Sequence, residues 1–223
     1  MQSLTAKAIL FDLDGTLVDS WKCIEYAWKS WCLEHSLEYN DLVHRFNGSR
    51  AVDIIHTLKP KLNPEEEKAK IDAFELAHPE SISVIPGALK ILSLLPRNKW
   101  GIVTSGSQVV VRHKLKHAQI ESPDVLITSE QINEGKPHPQ GYLKAASLLN
   151  TDPADCLVFE DSPQGIKAAR SAGMNVIALS TTFPAESLAE AHVCIDNYEI
   201  LDISVSASHI TISKNRVRIE SNL

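Results

Sequence analysis

The sequence lacks any apolar run approaching the ~20 residues that a membrane-spanning helix needs. The longest near the start, Ala8-Ile9-Leu10-Phe11, runs straight into Asp12. The start also lacks the basic segment and apolar stretch of a secretory signal, so neither membrane insertion nor export is expected. Cysteine is scarce. Cys23, Cys32, Cys156 and Cys194 show no CxxC or metal-finger spacing. Reduced thiols in a cytoplasmic protein are therefore expected. Positive charge is not in excess: the formal net charge is -6. An acidic chain without a basic stripe is a poor nucleic-acid binder. The clusters Arg112-His113-Lys114 with Lys116-His117, and Lys214 with Arg216 and Arg218, are small. They read as a solvated helix face and a polar strand face. Low-complexity tracts and internal repeats are missing too.

What is there is a chain of 223 residues, 43% of them hydrophobic. That length allows one large domain, or one domain carrying a smaller insert. A chain of this size buries roughly 70% of its unfolded surface, enough for a core without covalent staples. Lys7 to Asp12 reads as a strand, apolar on both faces as a central parallel strand is. From Trp21 to about His35 the pattern is helical, with Ile24, Trp28, Trp31 and Cys32 on one face. Helices follow at about Arg50–Leu58 and Pro64–Ala77, the latter started by Asn63 and by Glu65, Glu66 and Glu67. No strand is expected between Val18 and Ser83, so that stretch reads as a small all-helical unit.

Ile85-Pro86-Gly87 marks a boundary, after which strands and helices alternate. Strands are expected at Trp100–Val103, Val125–Ile127, Cys156–Phe159, Val176–Leu179 and Val193–Ile195. Helices are expected at Gln108–His117, Tyr142–Leu149 and Pro163–Ala172, with another starting near Pro184. This alternation implies an α/β fold, a parallel sheet with helices on both faces. In the tail, His209–Ser213 and Arg216–Glu220 each alternate with period two around Lys214-Asn215, which predicts a β-hairpin.

In such sheets, sites form at the carboxyl ends of strands. The first strand ends in Asp12-Leu13-Asp14-Gly15-Thr16. Acids two apart in a strand point to opposite faces. A turn at Gly15 lets both serve one site, Asp12 by its side chain and Asp14 by side chain or carbonyl. The next strand ends in Thr104-Ser105-Gly106-Ser107 and opens a helix, an arrangement that cradles phosphate. Lys136 follows the third strand in a stiff Lys136-Pro137-His138-Pro139 loop. Glu160-Asp161 end the fourth. Crowded carboxylates repel unless a cation sits among them. Oxygen ligands suit Mg²⁺, which accepts phosphate as a ligand. A carboxylate can also attack phosphorus. Singly, each piece has an ordinary reading: a turn, a helix cap, a surface lysine, a charge pair at a helix start. All four in order, each at a strand end, point to phosphoryl chemistry.

These motifs resemble those of the haloacid dehalogenase-like (HAD) hydrolase superfamily. The resemblance runs from Lys7 to about Asn197. It rests on Asp12-Leu13-Asp14-Gly15-Thr16-Leu17-Val18-Asp19-Ser20, Ile102-Val103-Thr104-Ser105-Gly106-Ser107, Gly135-Lys136-Pro137-His138-Pro139 and Phe159-Glu160-Asp161-Ser162-Pro163-Gln164-Gly165. It implies a Rossmann-like catalytic core over residues 1–18 and 84–203. The helical segment 19–83 would be a cap, and 204–223 a C-terminal hairpin or tail. Within the superfamily the likeness is to bacterial sugar phosphatases and glycerol-3-phosphate-type polyol phosphatases. The resemblance makes Asp12 the nucleophile and Asp14 the general acid and base. Asp161, Glu160, Asp12 and Asp14, the last through its carbonyl, would hold Mg²⁺. Thr104, Ser105 and Lys136 would bind the phosphoryl oxygens. Arg50 and Asn47 would reach the substrate from the cap, with His44, Trp21, Trp28 and Trp31 as further lining candidates. Packing between cap helices is the preferred role for Trp28 and Trp31.

The expected activity is Mg²⁺-dependent hydrolysis of small sugar or polyol phosphates through an aspartyl-phosphate. Asp14 favours esters, because an alkoxide leaves poorly without a proton. β-Phosphoglucomutase-like transfer is the alternative. That branch places a histidine where Ile24 stands, which weakens it, although His35 and His44 remain in the cap. A non-catalytic binding module is a further alternative, but no motif residue is lost. Asp19-Ser20 and Ser83 to Gly87 are the expected hinges for cap movement.

Overall fold

A computed structural model describes residues 3–46 and 48–215, with the backbone but not the side chain of His44. Strand β1 (Leu4–Ala6) precedes β2 (Ala8–Phe11), and the short β3 (Val18–Asp19) follows. Four helices come next: α1 (Trp21–Glu34), α2 (Tyr39–Phe46), α3 (Ala51–Leu58) and α4 (Pro64–Ala77). The chain returns through β4 (Ser83–Val84) and α5 (Ala88–Leu94). It then alternates β5 (Trp100–Val103), α6 (Gln108–His117), β6 (Val125–Ile127), α7 (Gln140–Leu148), β7 (Cys156–Glu160), α8 (Pro163–Ser171), β8 (Asn175–Leu179) and β9 (Val193–Ile195). Strands β10 (Leu201–Val205) and β11 (Ile210–Lys214) close the described chain.

The main sheet has the order β6-β5-β2-β7-β8-β9, and every pairing in it is parallel. The apolar run predicted as a central strand is the centre. Ile9 and Phe11 enter one hydrophobic cluster, and Ala8 and Leu10 enter the cluster on the opposite face. The two-residue side-chain period of a strand produces that division. From β2 the order runs through β5 to β6 on one side and through β7 on the other. The carboxyl ends of β2, β5 and β7 therefore meet at the topological switch point, where α/β sheets bind ligands.

Helices α1 to α4 form an insert with its own hydrophobic cluster, built on Trp28, Trp31, Phe46 and Ile55. Helix α4 starts as predicted: Asn63 accepts the Glu65 amide at 3.2 Å and Pro64 occupies the first turn. Both crossings to the insert are extended and pair with each other, Val18 opposite Val84 and Asp19 opposite Ser83. Helices α2 and α5 add to those the sequence pattern predicts. The segment after Pro184 forms only a 3-10 turn, Ala185–Leu188. Among the described residues, no helix is long and apolar enough to cross a membrane.

The tail corrects one expectation. Ile210–Lys214 pairs antiparallel with Leu201–Val205 across residues 206–209, not through a turn at Lys214-Asn215. Its other edge is taken by Leu4–Ala6, giving the order β1-β11-β10. The expected partner strand, Arg216–Glu220, lies outside the described residues. Ile210 and Ile212 are fully buried and join the cluster on one face of the main sheet, so this segment is part of the core packing.

Candidate functional site

Strand β2 delivers Asp12 to the sheet's carboxyl edge, where its amide donates to the Phe159 carbonyl at 3.0 Å. The chain then turns. Gly15 has φ +79°, and the Leu17 and Val18 amides both donate to the Leu13 carbonyl. A side chain at position 15 would fall on the Asp161 carboxylate, so the close approach of motif one and motif four requires glycine. The turn brings Asp14 back to the cavity that Asp12 lines, as the sequence predicts.

Lys136 is buried and its Nζ lies 2.5 Å from both Asp12 Oδ1 and Glu160 Oε1. Burial alone lowers a lysine pKa, but the two carboxylates outweigh it and raise this one. Glu160 is fully buried and saturated with donors. Its Oε1 also accepts from the Tyr142 hydroxyl at 2.9 Å. Its Oε2 accepts from the Asp161 amide (2.9 Å) and from the amide and hydroxyl of Ser162 (both 3.0 Å).

Asp12, Glu160 and Asp161 bring carboxylate oxygens within 4.8 Å of one another, all buried. Burial, offset in part by Lys136 and reinforced by Glu160 and Asp14, pushes the Asp12 carboxyl up to about 8. Burial, then Asp12 and Glu160, hold Asp161 well above the carboxylate range. One lysine does not balance three carboxylates, so the set is short of positive charge. Hard oxygen donors crowded in this way fit a divalent cation such as Mg²⁺. Asp12 and Asp161 are the better ligands, since Glu160 already accepts five hydrogen bonds.

Thr104 is buried at the end of β5 and accepts the Gly106 amide at 3.1 Å. It borders the same cavity as Asp12 and Asp14. Ser107 caps α6 by accepting from the Val110 amide. Ser105 is turned differently: its hydroxyl donates to the Gly48 carbonyl of the insert at 2.8 Å. Arg50 is also committed elsewhere. Its guanidinium donates to both Asp53 oxygens and to the Ile132 and Asn133 carbonyls, at 2.7–2.8 Å. It clamps the insert to the loop that leads to Lys136 and does not border the Asp12 cavity. Asn47 lies outside the described residues, as does the His44 side chain. Trp28 stacks on Phe46 (centroids 4.4 Å apart) and still borders the cavity. Trp31 is buried and donates to Glu67 at 2.9 Å. Trp21 packs against the insert's cluster.

The residue that sequence reasoning missed is Lys114. Its cluster reads as a solvated face, yet Lys114 is buried. Its Nζ sits 2.5 Å from Asp14 Oδ1 and 2.6 Å from Glu75 Oε2 on α4 of the insert. Burial works against the charge, but Asp14 and Glu75 raise its pKa above the ordinary lysine value. The same Asp14 oxygen accepts from the Ser20 hydroxyl. One signal was present: Lys114 follows Val110 and Val111 by four and three residues, on the apolar face of α6.

The cavity between insert and sheet has a volume of about 70 Å³. Lys136 borders an adjoining one of about 350 Å³, shared with Arg45, Ser49 and Gln164. The arrangement offers a carboxylate nucleophile, a second carboxylate for proton transfer, and cations for an anionic ligand.

A family model described as haloacid dehalogenase-like hydrolase matches residues 9–179. Hexitol phosphatase A of Escherichia coli (strain K12) is 34% identical over 206 residues, covering 90% of this chain and 95% of its own. Glycerol-1-phosphate phosphohydrolase 2 of Saccharomyces cerevisiae is 32% identical, covering 90% of this chain and 86% of its own. The crystal structure of a hydrolase from Pseudomonas syringae superposes with a TM-score of 0.78 at 24% identity, over 86% of this chain and 94% of that one. At that identity the superposition speaks to the fold.

Proposed function

Because the chain belongs to the haloacid dehalogenase-like hydrolases, matched over residues 9–179, we propose that it is a Mg²⁺-dependent phosphatase of small sugar or polyol phosphates. The observation that carries this reading is the pairing of Asp12 and Asp14 on one cavity, each held by its own buried lysine. The relatives named hexitol phosphatase A and glycerol-1-phosphate phosphohydrolase 2 support this substrate class.

In this reading residues 1–18 and 84–203 form the catalytic core, and 19–83 form a cap that closes over it. Lys136 and Thr104 hold the phosphoryl oxygens. Asp12 attacks phosphorus, and the bond to the leaving oxygen breaks as Asp14 supplies its proton. Asp14 then takes a proton from water, the water oxygen attacks the aspartyl-phosphate, and the bond to Asp12 breaks to release phosphate. Mg²⁺ on Asp12, Asp161 and the Asp14 carbonyl would neutralise the transferring phosphoryl group. Glu160 anchors Lys136. A mutase would need a proton-transferring group where Ile24 borders the cavity, and His35 is turned onto Glu67 at 2.7 Å. The unpaired cysteines suit a reducing compartment such as the cytoplasm.

The test is phosphate release from a panel of sugar and polyol phosphates with Mg²⁺, with EDTA, and with Asp12→Asn. Release that needs the metal and disappears in Asp12→Asn supports the reading. A folded protein that releases phosphate from none of them overturns it.

A further inference from the structure

The wall that the insert and α6 give the Asp12 cavity is polar, and the carboxylates around its lysines outnumber them. Helix α4 presents Lys68, Ile71, Asp72 and Glu75 to it, at i, i+3, i+4 and i+7, a single helix face. Helix α6 adds Lys114. Lys68 pairs with Asp72 at 2.9 Å and faces Glu130 of the sheet domain at 3.6 Å. Lys114 pairs with Asp14 and Glu75. Each lysine thus stands between two carboxylates, and these two are the only lysines or arginines among the described residues lining this cavity. Arg50 is saturated by Asp53 and two carbonyls, and Arg45 borders the adjoining cavity.

We infer that this wall selects phosphate esters whose alcohol portion is uncharged, and that Asp72 and Glu75 exclude a second anionic group. The inference rests on the phosphatase reading and narrows its substrate class. A carboxylate or second phosphate placed here meets Asp14, Asp72 and Glu75, with both lysines shared between carboxylates. Lys136 is shared in the same way, but beside it a divalent cation on Asp12 and Asp161 would offset the charge. Among the described residues this wall has no such ligand cluster. Like charges brought together in a desolvated site repel strongly. Hydroxyl groups can donate to those same carboxylate oxygens, and Ile24, Trp28 and Ile71 offer apolar surface to the carbon chain. A polyol meets both conditions.

Binding separates this inference from the activity itself. Calorimetry with the Asp12→Asn protein and Mg²⁺ compares glycerol phosphate with phosphoglycerate, which differ in CH₂OH against carboxylate at one end. Sorbitol phosphate and a hexose bisphosphate form a second pair. The neutral member of each pair is expected to bind about 100-fold tighter. Glu75→Gln leaves Lys114 with one carboxylate partner and should shrink that ratio about tenfold, and Asp72→Asn should do so through Lys68. Asp72→Asn serves alone should Glu75→Gln fail to fold. Equal binding within a pair, tighter binding of the charged member, binding of neither, or a ratio unmoved in the folded variants overturns the inference. Lack of turnover by the unmutated enzyme, with the binding ratio intact, would overturn the phosphatase reading and leave the selectivity standing.

Discussion

Replacing Lys114 by methionine removes a buried cation while keeping most of the volume of its stem. The side chain is 3% exposed and stands between Asp14 and Glu75 at 2.5 and 2.6 Å. Breaking a buried ion pair from one side costs about 3–5 kcal/mol, because the partner charge stays behind. At this chain length that corresponds to a fall in Tm of roughly 6–20 °C. The cost has a predictable pH dependence. Glu75 is already raised from 4.5, first by burial, and loses its neutralising partner in the variant. Its folded pKa rises further while its unfolded value stays put. Between those values the folded state binds more protons than the unfolded state, so stability falls as pH rises. The variant should therefore recover toward pH 5, and adding Glu75→Gln should restore much of the loss. Urea titrations at several pH values measure this. A cost below about 1 kcal/mol, or one equal at pH 5 and pH 8, would refute the reasoning, since a pure packing loss has no such dependence.

Other outcomes follow from the same geometry. Asp12 is raised from 3.8 to about 8, so metal-free protein binds more protons folded than unfolded across that window. Its Tm should fall as pH rises from 4 to 8 in EDTA, and Mg²⁺ should flatten the slope. A slope unchanged by Mg²⁺ would count against the carboxylate cluster as a metal site. Arg50→Ala loses the links to the Ile132 and Asn133 carbonyls that join insert and sheet domain. It should raise KM about tenfold or more, and Arg50→Lys should not rescue it, because ammonium lacks the planar fork; steady-state kinetics of both variants decide. Gly48 has φ +78°, and a Cβ there would lie 2.6 Å from Ser162 Oγ. Gly48→Ala should lose activity by misplacing the insert, whereas Gly173→Ala, with open space around it, should cost only about 1 kcal/mol of strain. Equal activity in the two would remove the insert's position from the mechanism.

Much of the fold was legible because its signals are local. A four-residue apolar run can be buried on both faces only at the middle of a layered sheet, and Ala8–Phe11 is there. Motif residues at strand ends were legible for the same reason: topology gathers strand ends without any need to know side-chain contacts. The tail shows where local pattern stops. Leu201–Val205 alternates as well as Arg216–Glu220 does, but alternation says that a strand has two faces, not which neighbour it pairs with. The pairing of Ile210–Lys214 with both β1 and β10 is set by the cluster that buries Ile210 and Ile212.

Charged residues were the hardest to place, for a physical reason. A lysine or arginine in sequence carries no mark of its partner, and the prior for such residues is exposure. Lys114 and Arg50 depart from that prior because each meets at least one partner across the boundary between insert and sheet domain. Lys114 meets Glu75 from 39 residues away in sequence and Asp14 from 100. Ser105, whose hydroxyl is given to Gly48, belongs to the same seam. The contacts of Lys114 with Glu75, of Arg50 with the Ile132 and Asn133 carbonyls and of Ser105 with Gly48 all cross from insert to sheet domain. The residues that sequence misreads are therefore those that join the two parts, and the residues it reads well are those the sheet holds by itself. That division carries a mechanistic consequence. Asp12, Lys136 and Glu160 all come from the sheet domain, whereas the Asp14 oxygen that accepts from Ser20 and Lys114 is tied through Lys114 to Glu75 of the insert. In the proposed mechanism the nucleophile and the proton donor are thus held by different parts of the fold, and a substitution of Glu75, which reaches Asp14 through Lys114, should impair proton transfer to the leaving group while leaving Asp12 and Lys136 in place.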